Sequence, residues 1–108
     1  MNAAEIREYV LQKDNVTEGF PFGEDNLVFK VNNKMFLLIS LDELPLKFNA
    51  KCDPEKAIEL REEYPEAILP GYHMSKKHWN TVVAQNIKLA LLKEMIDDSY
   101  NLVSKKKK

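Results

Sequence analysis

The sequence predicts an α+β fold, an antiparallel β-sheet covered on one face by helices, in the order α-β-β-β-α-β-α. Three observations lead there. Residues 27–51 hold successive β-branched and aromatic segments parted only by short polar turns, the pattern of a meander. Two punctuated segments with helical apolar spacing, "NAAEIREYV" and "CDPEKAIELREEYP", bracket that run. A third, "NIKLALLKEMIDDSYNLV", closes the chain with a strongly amphipathic repeat. A sheet with one apolar face needs such helices to cover it.

In the first helix, Asn2 is the cap and Glu5, three residues on, completes a capping box. Ile6, Tyr9 and Val10 share a face, and the helix should fade near Lys13 or Asp14. "TEGFPFGEDN" reads as a loop because of its two glycines and Pro21, with Phe20 and Phe22 expected to anchor in the core. "LVFKV" and "KMFLLISL" are strands joined at Asn32–Asn33, since asparagine tolerates the positive φ of a tight hairpin. After a second turn near Asp42–Glu43, "LPLKFNAK" alternates. Leu46, Phe48 and Ala50 point one way, and Lys47, Asn49 and Lys51 point the other.

Asp53 caps the second helix and Pro54 is preset for its first position. Ala57, Ile58 and Leu60 are expected to be buried, Glu55, Glu59, Glu62 and Glu63 to lie outside, and Pro65 to stop the helix at Tyr64. Pro70–Gly71 is expected to turn the chain into a strand "HWNTVVA", where Trp79, Thr81 and Val83 share one face and His78, Asn80 and Val82 the other. In the last helix Ile87, Leu91, Leu92, Met95, Ile96, Tyr100 and Val103 form the apolar stripe.

At 108 residues the chain fits one domain, assigned to residues 1–104. A chain of this size buries about two-thirds of its unfolded surface and needs neither disulfide nor metal to fold. A single cysteine, Cys52, excludes an internal disulfide and fits a reducing compartment. No apolar run nears the roughly 20 residues of a membrane span, and the start lacks the character of a secretory leader. The expectation is a cytoplasmic monomer without a membrane contact. Its charge is uneven: residues 1–69 hold 8 Lys/Arg against 14 Asp/Glu, whereas residues 70–108 hold 8 Lys against 3 Asp/Glu. Four of those lysines form the tail 105–108, a like-charge run expected to be solvated and disordered.

The segments "FPFGED" (20–25), "FKVNNKMF" (29–36), "KCDPEKAIELREEYP" (51–65), "PGYHMSKKHWNTV" (70–82) and "SYNLV" (99–103) together resemble the MmcQ/YjbR family along nearly the whole chain. The stretch 70–82 is the most specific. The resemblance implies a fold like that of frataxin and CyaY, a DNA-binding role through hairpins in a double-wing arrangement, and no enzymatic activity. The lysine tail lies beyond the family's pattern.

The residues themselves narrow the chemistry. His73 and His78 are five apart, off the i, i+4 spacing that shares a helical face, and a zinc site needs three or four ligands. Iron, suggested by the frataxin likeness, would have only the sparse set Glu5, Glu8, Asp14 and Glu18, which reads more simply as a solvated face. No metal or cofactor is therefore expected. Cys52 precedes a helix cap, a position that can lower a thiol pKa, but it lacks a flanking catalytic signature. It reads as a packed residue at a strand–helix junction.

Two functional readings remain. In the first, Lys47, Asn49, Lys51, Lys76, Lys77, His78 and Asn80 form a mainly electrostatic contact surface for DNA, opposed by the acidic first two-thirds of the chain. Pro70, Gly71, Tyr72, His73 and Trp79 would then be structural, with Trp79 and Tyr72 closing the core. In the second, the chain is a protein-interaction or small-ligand adaptor, working through the acidic second helix or an aromatic pocket near Tyr64 and Tyr72.

Overall fold

A computed structural model of the protein describes residues 1–71 and 74–104. The expectations placed on Tyr72, His73 and the tail 105–108 lie outside the described residues. The chain runs α1 (Ala3–Leu11), β1 (Val16–Gly19), β2 (Asn26–Val31), β3 (Lys34–Ser40), β4 (Lys47–Lys51), α2 (Pro54–Glu63), β5 (Ile68–Pro70), β6 (Trp79–Val83), a 3₁₀ turn (Ala84–Asn86) and α3 (Leu89–Ser104). The six strands form one antiparallel sheet in the order β1-β2-β3-β4-β6-β5. The expected α+β class and element order stand, with two short strands added: β1, mostly within the expected loop, and β5, of which the sequence assigns only Pro70, to a turn.

Local chemistry sets these elements. Asn2 Oδ1 accepts from the Glu5 amide at 2.8 Å while Glu5 Oε1 accepts from the Asn2 amide at 2.9 Å, the complete capping box. Asp53 accepts from the Glu55 and Lys56 amides ahead of Pro54, so α2 starts where its signals say. Asn32 and Asn33 both hold positive φ, 53° and 64°, and turn β2 tightly into β3.

A bulge breaks the β2–β3 register. Phe29 faces Leu37 and Lys30 faces Met35, so Phe36 has no opposite number. Phe36 and Leu37 therefore both enter the core. The Phe36 carbonyl accepts at 2.5 Å from the buried Ser99 hydroxyl on α3, which itself accepts from the Lys51 amide at 2.9 Å. One hydroxyl thus bridges two backbone groups that lie just beyond the Leu37–Ala50 pair, where the β3–β4 register ends.

All three helices bury residues into one cluster on one side of the sheet: Ile6 and Val10 from α1, Ala57 and Leu60 from α2, and Leu92, Met95, Ile96 and Val103 from α3. They meet Phe29, Leu37, Ile39, Phe48 and Ala50 of the sheet. Ile58 corrects the expectation for α2: one step round from Ala57, it points off the core and is half-exposed. Phe20 and Phe22 correct another, being 52% and 62% exposed, since the loop that carries them runs outside the sheet rather than under it. Among the described residues no helix is long and apolar enough to cross a membrane.

Candidate functional site

Among the described residues the opposite face of the sheet carries no helix. Alternation and register assign to it Asn26 and Val28 of β2, Leu38 and Ser40 of β3, Lys47, Asn49 and Lys51 of β4, and Trp79, Thr81 and Val83 of β6. Val28, Leu38, Asn49, Trp79, Thr81 and Val83 are buried yet stand apart from the helix-side cluster. Loops shelter them.

The DNA-contact residues expected from the sequence divide into three groups. Lys76, Lys77 and His78 are exposed on the turn before β6. The Arg61 guanidinium of α2 donates to the Lys76 carbonyl at 3.1 Å and fixes that turn. The β4–β6 pairing sets Lys51 opposite Trp79, and the Cys52 amide donates to the His78 carbonyl at 2.7 Å. Lys51 therefore belongs at the same end of the sheet as the turn. Lys47 sits at the other end of β4, opposite Val83 and about 13 Å along the strand from Lys51. Its ammonium pairs with Glu43 at 3.2 Å. The four lysines do not gather into one patch.

The two amides are corrected more sharply. Asn80 is 0% exposed, facing the helices rather than solvent, and its Nδ2 donates to the Ala57 carbonyl of α2 at 3.4 Å. Its Oδ1 is buried with no partner among the described residues. Asn49 is 6% exposed, and its Oδ1 accepts from the Thr81 hydroxyl across the β4–β6 pair. Neither amide belongs to an outward contact surface. Sequence alternation sorts the residues of each strand into two sets, but it shows neither which set of β6 meets the helices nor whether an outward set is sheltered by loops.

The motif residues also find different roles. Pro70 ends β5 instead of making a turn. Gly71 is required by a close approach: a Cβ there would lie 2.8 Å from Trp79 Cβ and 2.9 Å from the Trp79 carbonyl oxygen, to which the Gly71 amide donates at 2.9 Å. Trp79 closes the helix-free face, not the main core. Cys52 is buried at the strand–helix junction, as its reading as a packed residue expects, and burial pushes its thiol pKa up, with Lys56 opposing more weakly, so the lowering that its place before the helix cap could bring does not prevail. Among the described residues no three His, Cys, Asp or Glu side chains gather as a metal site would need.

Sequence reasoning passed over a groove on the helix-free face. It encloses about 510 Å³. Phe22, Met35, Leu38 and Met74 supply its apolar walls. Asn26, Ser40 and Asn49 provide neutral polar groups, and Asp42 and Glu43 acidic ones. A second hollow sharing Ser40, Glu43 and Asn49 extends it towards Lys47, Leu69, Pro70 and Thr81. The only signal in the sequence is the contrast of Phe20 and Phe22 with the polar loop around them.

A model of the YjbR family matches residues 11–102. The uncharacterized protein YbdF of Escherichia coli O157:H7 is 46% identical over 86 residues, which span 78% of this chain and 69% of that protein. The uncharacterized protein YyaQ of Bacillus subtilis (strain 168) is 51% identical over 37 residues, 34% of this chain and 30% of that protein. Among solved structures, Deinococcus radiodurans protein DR2400, with domain DUF419, superimposes with a TM-score of 0.92 at 38% identity, covering 97% of this chain and 80% of that one. A Pseudomonas syringae protein superimposes at 0.82 with 26% identity, covering 95% of this chain and 99% of that one.

Proposed function

This chain belongs to the YjbR family, and from that premise we propose that it is a non-enzymatic DNA-binding protein whose contact surface is the cationic end of the sheet: Lys51, Lys76, Lys77 and His78. One observation carries the reading. The backbone bond from Cys52 to His78 joins the end of β4 to the exposed turn, so three lysines and a histidine from distant parts of the sequence share one end of the sheet. Arg61 holds the turn in place, so little ordering is required when phosphates arrive. The surface is narrower than the sequence predicts, because Lys47 is engaged by Glu43 and both asparagines are buried. The non-enzymatic reading draws support from Cys52, whose buried thiol is held in its unreactive protonated form.

The acids of α2 limit the strength of such binding, so the affinity is expected to be modest and salt-sensitive. Three lysine–phosphate contacts on duplex DNA give a log–log salt slope of about −2.7, and removing two of them reduces its magnitude by about 1.8. Fluorescence anisotropy with a labelled duplex, comparing the native chain with Lys76→Ala/Lys77→Ala across a salt series, tests this. Absence of binding at low salt, or an unchanged slope in the double variant, sinks the proposal.

A further inference from the structure

The groove on the helix-free face has a chemistry of its own. An anionic ligand is disfavoured, since Asp42 stands at its wall and Lys47, the lysine of the adjoining hollow, is already paired with Glu43. A purely aliphatic ligand is disfavoured too, because it would strip water from Asn26, Ser40 and Asn49 without replacing their hydrogen bonds. The Asn49 carbonyl is already taken by Thr81, which leaves its amide nitrogen as a donor for the groove. The remaining fit is a planar ligand with polar edges. Phe22 and the thioethers of Met35 and Met74 offer faces for such a ring. Asparagine amides match the donor–acceptor edge of a base, and a carboxylate accepts from an exocyclic amino group.

We infer that the groove lined by Phe22, Asn26, Asn49, Asp42 and Met74 is a binding site for an amino-substituted heteroaromatic ring of the nucleobase type. Its position links it to the surface proposed above, and the source of the ring rests on that reading. Met74 lines the groove, and Lys76, Lys77 and His78 follow it on the same turn. A single strand of DNA could thus lay its phosphates on the lysines and seat an unpaired base in the groove. Duplex DNA keeps its bases stacked and would use the lysines alone.

The test uses the full chain at low salt with three probes, free nucleosides, a short single strand and the duplex of the same sequence, each also tried on the Phe22→Ala variant, whose ring is largely exposed. Amide chemical shifts report the groove, and anisotropy reports affinity. The single strand should bind more tightly than the duplex. Phe22→Ala should weaken the single strand by roughly tenfold, the order of one base–aromatic stack, and leave the duplex unaffected. Nucleosides that shift Asn26, Ser40 and Asn49 while the single strand shows no preference would support the ring site with a free nucleoside as its source. If nucleosides and single strand both leave the groove unperturbed while Lys76→Ala/Lys77→Ala weakens duplex binding, the groove proposal is overturned and the electrostatic surface survives. If no DNA binds but nucleosides shift the groove, the electrostatic reading fails and the ring site stands.

Discussion

On the helix-covered face of the sheet, Phe29, Leu37, Ile39 and Phe48 lose all contact with solvent beneath three helices. On the opposite face Leu38, Trp79 and Val83 keep 6–8% exposure under loops alone, beside a hydrogen-bonded Asn49–Thr81 pair. The same strands thus serve two environments through their two-residue period. One is an apolar interior fixed by close packing. The other is a sheltered surface with polar groups in its floor. Stability should therefore reside on the first face and ligand contact on the second.

The sharpest way to break this contrast is truncation on each side. Phe48→Ala should cost about 3–5 kcal/mol, whereas Leu38→Ala, whose surroundings can relax or admit water, should cost about 2 kcal/mol. Urea unfolding measures both, and equal costs would abolish the distinction. Next comes Ser99, the hydroxyl that ties α3 to the Phe36 carbonyl of β3 and the Lys51 amide of β4. Ser99→Ala leaves the Phe36 carbonyl and the Lys51 amide unpaired, a loss of about 2–3 kcal/mol in the same assay. Gly71→Ala sharpens the other side. Its methyl would press on Trp79 and should destabilise by about 1–2 kcal/mol, with changed amide shifts in β6 but not in α1.

The smallest effect concerns pH. The Tyr9 phenol of α1 donates to the Asp97 carboxylate of α3 at 2.7 Å, and Lys13 pairs with that carboxylate at 2.5 Å. Burial first, then Asp97, pushes the Tyr9 pKa up to about 12. Folding therefore favours the protonated phenol. This contribution is fully present below the ordinary tyrosine pKa of about 10 and is lost as pH rises through about 12. Thermal melts between these values should show a decline in the native chain that Tyr9→Phe flattens. An identical decline in both would remove Tyr9 from the clasp between α1 and α3.

The covered face was the more legible of the two. Its helices announce themselves by caps at Asn2 and Asp53 and by the stripe in α3, and its strands by alternation and the Asn32–Asn33 turn. Strands β1 and β5 escaped because "VTEG" and "ILP" are too short for a period to register and owe their pairing to neighbours distant in sequence. The bulge at Phe36 was equally hidden, since only the partner strand reveals a skipped residue. The candidate site was read less well. The sequence assigned Asn49 to an outward stripe because it follows Lys47 and precedes Lys51, but loop cover, a tertiary property, buried it. Lys76–Lys77–His78 were placed on a surface, and the bond that brings Lys51 to them could not be seen from composition.

The order of the sheet has one more outcome, for the behaviour of the chain at high concentration. Its margins are β1 and β5, of four and three residues. A second molecule seeking to extend the sheet at β5 would meet Pro70, which has no N–H to offer, and a ladder too short to hold it. At β1 it would meet Glu18, held by Arg7 through two bonds of 2.6 and 2.7 Å. The two strands hardest to recognise in the sequence are thus the ones that guard the fold against edge-to-edge aggregation.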